Sequence, residues 1–385
     1  MTKITQEQLN DYTIKASDFV SCAQAFIDCR TPGSDKKENY SMIGPGVTQS
    51  DEQFVNVAER HGFNIGAAAM PKECINNLHI HFTAETFYLH RGDWEFKWGN
   101  RGENTVTLTT GAIFSPRTWL FRGFRNVGAD DGFVFTVLGG DDTGGIIWHP
   151  EVLNEAKKYG LVLTAENKVL DTVANADVDV DEVELIQGVT EEQMATLRQP
   201  STEEMMKQVV TFEELDWSED ALLCAKTDGG KVRMAPAIGW GMTEYRDHTP
   251  KIYNPHGYSV EWLEIPIGQS VKLHRIAQRQ VLKMHQGTIE VSVNRPEEGQ
   301  VSNTISAKDV LSVPASAWRT LTNIGSETAF VLVVNGSDSV NRIQWDTSVI
   351  SEARENGFGL DTSGYIALEA LIRYSNPMLD GFVQC

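Results

Sequence analysis

Apolar and polar residues alternate in two separate parts of the chain. In the first part, about residues 54–138, the segments DWEFKW (93–98) and TVTLT (105–109) place every second side chain on one face. This is the period of a half-buried β-strand. The second part, about residues 257–335, repeats the texture with IEVSV (289–293). Many short strands between glycine- and asparagine-rich turns are typical of a β-sandwich or barrel.

Short helices are predicted between and outside these parts. The segment HPEVLNEAKKYG (149–160) has a proline near a helix start, lysines in its last turn and a glycine at its end. TEEQ (190–193) and STEE (201–204) have the form of capping boxes, which open helices. Residues 6–15 and 364–374 are predicted as helices near the two termini.

The chain has 385 residues, more than one hydrophobic core usually serves, so we predict more than one domain. The predicted divisions are an N-terminal arm (1–50), a first barrel (51–145), a partly helical linker (146–240), a second barrel (241–345) and a C-terminal helical tail (346–385). The acidic segment ADVDVDEVE (176–184) is interpreted as part of the linker, and a strand with one charged face is the alternative.

Composition and charge exclude several kinds of partner. The 33 basic residues stand against 53 acidic ones, for a net charge of −20, and such a surface repels nucleic-acid phosphates and anionic lipid. No segment approaches the apolar length of a transmembrane helix, and the N-terminus lacks the apolar core of a signal peptide. The five cysteines are scattered, as is typical of reduced thiols. We therefore expect a cytoplasmic protein without nucleic-acid or membrane partners.

The two strand-rich parts contain copies of one pattern, which is the strongest sign of their organisation. The segment LHIHFTAETFYLHRG (78–92) aligns with residues 273–287 of the second part. The aligned pairs are His79 with His274, His81 with Ile276, Glu85 with Gln280, and Gly92 with Gly287. Downstream, PRTWLFRGFRN (116–126) aligns with PASAWRTLTN (314–323), which is one residue shorter between its proline and its arginine.

The first copy contains a candidate metal site. Residues i and i+2 of a strand point to the same face, so His79 and His81 are expected to enter the barrel together. Glu85 would complete a set of two histidines and one carboxylate, which leaves coordination positions open on Fe(II). Imidazole also suits Zn, Mn, Ni and Cu, so the residue types do not name the metal. The alternative is that these are polar pocket residues bonded to one another without an ion.

These residues resemble the motifs of the cupin superfamily in its two-domain, bicupin form. The first family motif, G-x5-HxH-x3,4-E-x6-G, is met by His79, His81, Glu85 and Gly92, while Glu73 stands in place of its leading glycine. The resemblance implies that the first barrel binds one divalent metal through the two histidines and the glutamate.

The second family motif is met less well, and the second copy is degenerate. Arg122 stands where the third metal-binding histidine belongs, and Arg319 stands there in the second copy, which retains only His274 among the ligands. We therefore expect no metal in the second barrel, and expect Arg319 to bind an anion or to form a salt bridge. An arginine cannot ligate a cation. Arg122 would therefore bind the charge of a substrate if it points inward, or form a surface ion pair if it points outward.

The resemblance implies a mainly β chain with two jelly-roll barrels, a helical linker and terminal helices. It also implies a homo-oligomer, and a dimer in particular. By analogy with gentisate and quercetin dioxygenases, it implies an Fe(II)-dependent oxidoreductase that acts on a small anionic, oxygen-rich or aromatic substrate. Non-redox isomerisation or decarboxylation at a similar site stays open. A non-catalytic, ligand-binding or storage-like bicupin is also possible from the sequence. The missing third histidine supports this alternative, and the intact first motif opposes it.

Overall fold

The alternating segments form the predicted strands, and the computed structural model, which describes residues 3–375, adds many short ones. The strands in chain order are β1 (Thr13–Ile14), β2 (Glu38–Ile43), β3 (Val55–Val57), β4 (Phe63–Met70), β5 (Ile75–His81), β6 (Glu85–Arg91), β7 (Trp94–Trp98), β8 (Asn104–Leu108), β9 (Ile113–Phe114), β10 (Arg122–Asn126), β11 (Gly132–Gly139), β12 (Ile146–Trp148), β13 (Leu161–Leu163), β14 (Val169–Asp171), β15 (Val209–Val210), β16 (Arg233–Ile238), β17 (Ser259–Ile265), β18 (Ser270–Ile276), β19 (Gln280–Gln286), β20 (Thr288–Val293), β21 (Val301–Ser306), β22 (Val310–Val313), β23 (Arg319–Asn323), β24 (Ala329–Asn335), β25 (Ile343–Trp345), β26 (Phe358–Leu360) and β27 (Ile366–Leu368). The α-helices are α1 (Gln6–Asp11), α2 (Pro150–Lys158), α3 (Glu191–Ala195), α4 (Thr202–Met206), α5 (Thr347–Glu355) and α6 (Glu369–Ser375). Residues 376–385 of the predicted tail, with Cys385, lie outside the described part.

The N-terminal unit, residues 19–213, contains two large sheets, antiparallel except for the pair β2 with β3, and a small two-stranded sheet of β13 and β14. One sheet has seven strands in the order β15-β9-β6-β11-β4-β2-β3, and the other has five in the order β12-β5-β10-β7-β8. Side chains from both sheets share one apolar cluster, in which Trp94, Phe96 and Trp98 of β7 are buried. The prediction that these three alternating aromatic residues form core is therefore confirmed.

The sheets of the N-terminal unit extend beyond the range 51–145 predicted for the first barrel. β2 comes from the predicted arm and pairs with β4, while β12 and β15 come from the predicted linker and pair with β5 and β9. These strands are short or lack a clean alternation, as in ENYSMI and IIW, so their pattern does not separate them from loops.

The C-terminal unit combines residues 3–18 with residues 214–375. It has a six-stranded sheet in the order β1-β22-β19-β24-β17-β16 and a five-stranded sheet in the order β21-β20-β23-β18-β25. Aliphatic side chains from both sheets, among them Leu263, Val291 and Leu321, form one fully buried core. The mainly β class with two barrels is confirmed, and the N-terminal segment belongs to the second of them.

Both terminal helices differ from their predictions. The helix predicted over 6–15 ends at Asp11, because Thr13 and Ile14 pair with Leu311 and Val310 as β1. The segment predicted as one helix over 364–374 begins as β27, which pairs with β26, and becomes helical only from Glu369. In both places strand pairing overrides the local helical pattern, with a distant segment at β1 and within a short hairpin at β27.

The internal helices follow their sequence signals. Thr190 and Ser201 each form the predicted capping box, at α3 and α4. His149 caps α2, and Pro150 is the first residue of that helix. Among residues 3–375, no helix combines the length and apolar character needed to cross a bilayer. The four cysteines in this part of the chain are buried and form no disulfide.

Gly123 lets β10 approach β5 beside the candidate site. The register between these strands shifts between Arg122 and Phe124, and a Cβ atom on Gly123 would lie 2.6 Å from the backbone oxygen of Asn76. Real Cβ atoms do not come so close, so the strands would have to separate. We expect Gly123→Ala to lower the free energy of unfolding by about 1–3 kcal/mol, measured by urea denaturation.

The matched control is Gly188→Ala, where the nearest atom to the added Cβ is 3.3 Å away and belongs to a proline side chain. This substitution is expected to change stability by less than about 1 kcal/mol. Equal losses in the two variants would contradict a close approach of the strands at Gly123.

Candidate metal-binding site

The predicted ligands converge between the two sheets of the N-terminal unit. His79 and His81 lie on β5 of the five-stranded sheet, and Glu85 begins β6 of the seven-stranded sheet. All three side chains are buried, and one ligand atom from each lies within 4.8 Å of the others. The two imidazole rings meet edge to face with their centroids 4.8 Å apart. Strand alternation thus places both histidines in the interior, as the sequence predicts.

A backbone carbonyl fixes the orientation of His79. Its Nδ1 lies 2.7 Å from the oxygen of Asn77, and only Nδ1–H can donate to a carbonyl. The Nε2 atom therefore keeps a lone pair, which is the state needed to bind a metal. Burial, and then the positive charge of Arg122, lowers the pKa of His79 to about 3, so the ring is neutral at pH 7.

His81 is held in the neutral state by the same forces. Burial, followed by the charges of Arg122 and His79, lowers the pKa of His81 well below its ordinary value. Its Nε2 lies 3.4 Å from Oε1 of Glu85. A hydrogen bond with the backbone of Gly145 partly counteracts this lowering of the His81 pKa.

Arg122 points into the barrel, which decides between the two directions left open by the sequence. Its side chain is 1% exposed, and its Nε and Nη2 both donate to Oε2 of Glu85, at 3.1 and 2.9 Å. Nη1 donates to the carbonyl of Leu120 at 3.4 Å. The Oε1 atom of Glu85 therefore faces His81 while Oε2 is taken by the guanidinium. Burial raises the pKa of Glu85, and Arg122 counteracts this rise.

A second buried ion pair supports His79 from behind, and the sequence did not reveal it. Lys37 contacts both carboxylate oxygens of Asp28, at 2.9 and 3.0 Å, and both side chains are buried. Asp28 accepts hydrogen bonds from the backbone and side-chain nitrogens of Asn77, at 3.3 and 3.2 Å. Burial alone would raise the pKa of Asp28, but Lys37 and these hydrogen bonds lower it. The pair thus anchors the residue whose carbonyl orients His79.

The three ligands line a small cavity with a volume of ≈ 80 Å³. Its wall combines polar groups such as Asn39 and Thr136 with the apolar side chains of Phe87, Phe124 and Trp148. Trp148 also packs against His79, with ring centroids 5.4 Å apart. The site therefore has room for a small ligand beside the three side chains.

The second copy of the motif is arranged differently. His274 on β18 lies opposite Arg319 on β23, as His79 lies opposite Arg122. Gln280 replaces the glutamate and accepts a hydrogen bond from Nη1 of Arg319 at 3.0 Å. Ile276, in place of the second histidine, is buried in the apolar core. The carboxylate of the first copy thus has a neutral amide as its counterpart.

Neither a protein-family profile nor a curated protein sequence matches this chain. Among solved structures, oxalate decarboxylase from Lactobacillus farciminis, in a formate complex, has a TM-score of 0.55 and 13% identity over 91% of this chain and 91% of its own. The Bacillus subtilis oxalate decarboxylase at pH 4.6 has a TM-score of 0.54 and 11% identity over 96% of this chain and 84% of its own. A deletion mutant (162–163) of the latter enzyme gives 0.52 and 12% over 86% and 78%.

At such identities the likeness concerns the fold. Each alignment covers most of both chains. It therefore includes both units of this structure, in agreement with the internal repeat. The chain therefore has a bicupin fold, with two jelly-roll barrels in one chain.

Proposed function

We propose that this chain is a metal-dependent cupin enzyme that cleaves a small carboxylate without oxidising it, as a decarboxylase does. The observation that carries the proposal is the convergence of two neutral imidazoles and one carboxylate on one side of a buried pocket. The likeness to oxalate decarboxylases, one of them in complex with formate, supports the choice of a carboxylate.

The three side chains fit a divalent transition metal. Two nitrogen donors and one oxygen donor suit such an ion, and the separation of 4.8 Å or less allows all three to reach it with small movements. Both histidines are already neutral, so no proton has to leave them. Arg122 occupies only Oε2 of Glu85, which leaves Oε1 on the side of His81. When bound, the metal would act as a Lewis acid toward a carboxylate oxygen.

The size of the cavity limits the substrate. A buried water needs roughly 10–15 Å³ of cavity volume. On that scale, the cavity of ≈ 80 Å³ has room for roughly five to eight non-hydrogen atoms. A carboxylate of two to four carbons fits this range, and a substituted aromatic ring exceeds it. This is the reason for preferring decarboxylation to the oxidation of an aromatic ring.

The charges around the cavity favour an anion. The ion pair of Glu85 with Arg122 is neutral overall, so a divalent cation would leave the site positive. In decarboxylation, the bond from the carboxylate to the neighbouring carbon breaks, CO2 leaves, and the electron pair that remains takes up a proton. The apolar walls formed by Phe87, Phe124 and Trp148 keep bulk water from the reacting carbon. The net reaction consumes one proton and no O2.

The test combines metal analysis with two assays of turnover. We expect the purified protein to carry about one transition-metal ion per chain, and to release CO2 from at least one member of a panel of two- to four-carbon mono- and dicarboxylates without matching O2 uptake. Stoichiometric O2 uptake would favour the dioxygenase predicted from the sequence. If no metal binds under any loading condition but a carboxylate binds in calorimetry, the protein is a non-catalytic binder and the proposal fails. Fe(II) as the ion and a dimeric state stay predictions.

A further inference from the structure

Arg319 carries a buried positive charge that no carboxylate contacts within the described part of the chain. Its side chain is 0% exposed, Nε donates to the carbonyl of Ala317 at 3.1 Å, and Nη1 donates to Oε1 of Gln280 at 3.0 Å. Nη2 is buried without a partner among residues 3–375. Arg122, its counterpart in the N-terminal unit, instead binds the carboxylate of Glu85.

His274 places a second unpartnered atom in the same interior. It lies directly opposite Arg319 on the neighbouring strand, so the two side chains share one face of the sheet. Its Nδ1 lies 2.7 Å from the carbonyl oxygen of Lys272 and must donate to it. The buried Nε2 atom therefore has a lone pair, and no donor reaches it from the described residues.

The hydrogen bonds that start at Arg319 lead to one carboxylate, that of Glu261. This carboxylate does not contact the guanidinium of Arg319. Gln280 donates to Asn335 at 3.0 Å, and Asn335 donates to Oε1 of Glu261 at 2.8 Å, while Oε2 accepts from the backbone of Met242 at 2.8 Å. Burial raises the pKa of Glu261 to about 7, so this group is only partly ionised at neutral pH.

The charge on Arg319 persists in these surroundings. Burial lowers the pKa of Arg319 to about 9, which still leaves the guanidinium protonated at neutral pH. A buried charge without a counter-ion is strongly unfavourable. An anion with an atom to accept from Nη2 would remove this cost, and the fully buried aliphatic side chains of the surrounding core favour a small one.

We propose that the interior of the C-terminal barrel binds a small monoanion that carries one hydroxyl group. Its charged oxygen accepts a hydrogen bond from Nη2 of Arg319, and its hydroxyl donates to Nε2 of His274. Hydrogencarbonate is the smallest common anion with both groups. Nitrate has a similar size and charge but no hydroxyl, so it satisfies Arg319 and leaves His274 without a donor.

The experiment is equilibrium dialysis of the full-length protein against isotopically labelled hydrogencarbonate at fixed pH and ionic strength. We expect about one anion bound per chain, displaced by nitrate only at concentrations at least about 10-fold higher. Binding should persist in His79→Ala, which alters the other barrel. It should weaken at least about 10-fold in Arg319→Gln, and His274→Phe should remove the preference for hydrogencarbonate over nitrate.

If Arg319→Gln does not fold, Arg319→Lys is tested in its place. It should also weaken binding, because an ammonium group lacks the second terminal nitrogen of the guanidinium. Unchanged binding in a folded Arg319 variant, or its loss in His79→Ala, would place the anion elsewhere and overturn the proposal. Absence of saturable binding in the wild-type protein would mean that water satisfies both atoms, which also overturns it.

Discussion

The His79→Ala variant is expected to lose its bound metal, with an affinity for divalent ions roughly 100-fold or more below that of the wild-type protein. The substitution removes one of three donors, and the orienting hydrogen bond to Asn77 is lost with it. Metal content after dialysis, measured by elemental analysis, and calorimetric titration of the metal-free protein give the two readouts.

His274→Ala is the matched control for this variant. His274 is equally buried and makes the same hydrogen bond, from Nδ1 to the carbonyl two residues earlier, at the same 2.7 Å. Its removal should leave the metal content unchanged, while both variants lose stability through the cavity created. Equal metal contents in the two variants, whether high or low, would contradict the assignment of the site to His79.

Arg122→Met is expected to have two opposite effects. The metal-free protein should lose about 3–5 kcal/mol of stability, because a buried ion pair is broken and Glu85 must take up a proton or stay charged without its partner. Divalent metal should bind about 10- to 100-fold more tightly, since a unit charge and a divalent ion about 6 Å apart repel by roughly 5 kcal/mol at an effective dielectric constant of about 20. Metal binding must also displace the proton from Glu85, which reduces this gain in affinity.

The pH dependence has a definite sign. Burial raises the pKa of Glu85, and loss of Arg122 raises it further, so protons compete with the metal more strongly in the variant. The gain in metal affinity should therefore grow as pH rises. Urea unfolding of the metal-free proteins and competition against a chelator measure the two effects.

Arg125→Met, on the same strand, serves as the control. Arg125 is more exposed and binds Glu95 and Glu73 at the surface, at 2.9 and 3.3 Å. Such pairs contribute little, so stability should change by less than about 1 kcal/mol and metal affinity should stay constant. Weaker metal binding in Arg122→Met would show that the guanidinium supports the site by orienting Glu85, contrary to our expectation.

The sequence contains enough to predict the barrels and the three converging side chains. Spacing by two on a strand fixes the shared direction of His79 and His81 irrespective of the rest of the fold. The internal repeat also identifies Arg122 and Arg319 as equivalent positions, and the structure places each opposite the first histidine of its copy.

The direction and partner of Arg122 depend on features that local pattern does not encode. The register between β5 and β10 shifts just after this residue, so simple alternation cannot be followed through it. Asp28 and Lys37 were also missed, because they lie in the predicted arm and reach His79 only through long-range contacts with Asn76 and Asn77. Such contacts exist only once the tertiary structure has formed.

The docking of the first described residues on the C-terminal unit has a consequence for biosynthesis. Strand β1 covers the edge of β22, and Gln6 donates to Asn303 at 2.9 Å, so Gln6 is translated 297 residues ahead of its partner. Residues 19–213 form a unit of their own and can fold first, whereas β1 has no partner until β22 has been made. Tags or deletions in this segment would leave the edge of β22 uncovered in the C-terminal barrel. Because an uncovered strand edge can pair with other chains, we expect such variants to aggregate into inclusion bodies.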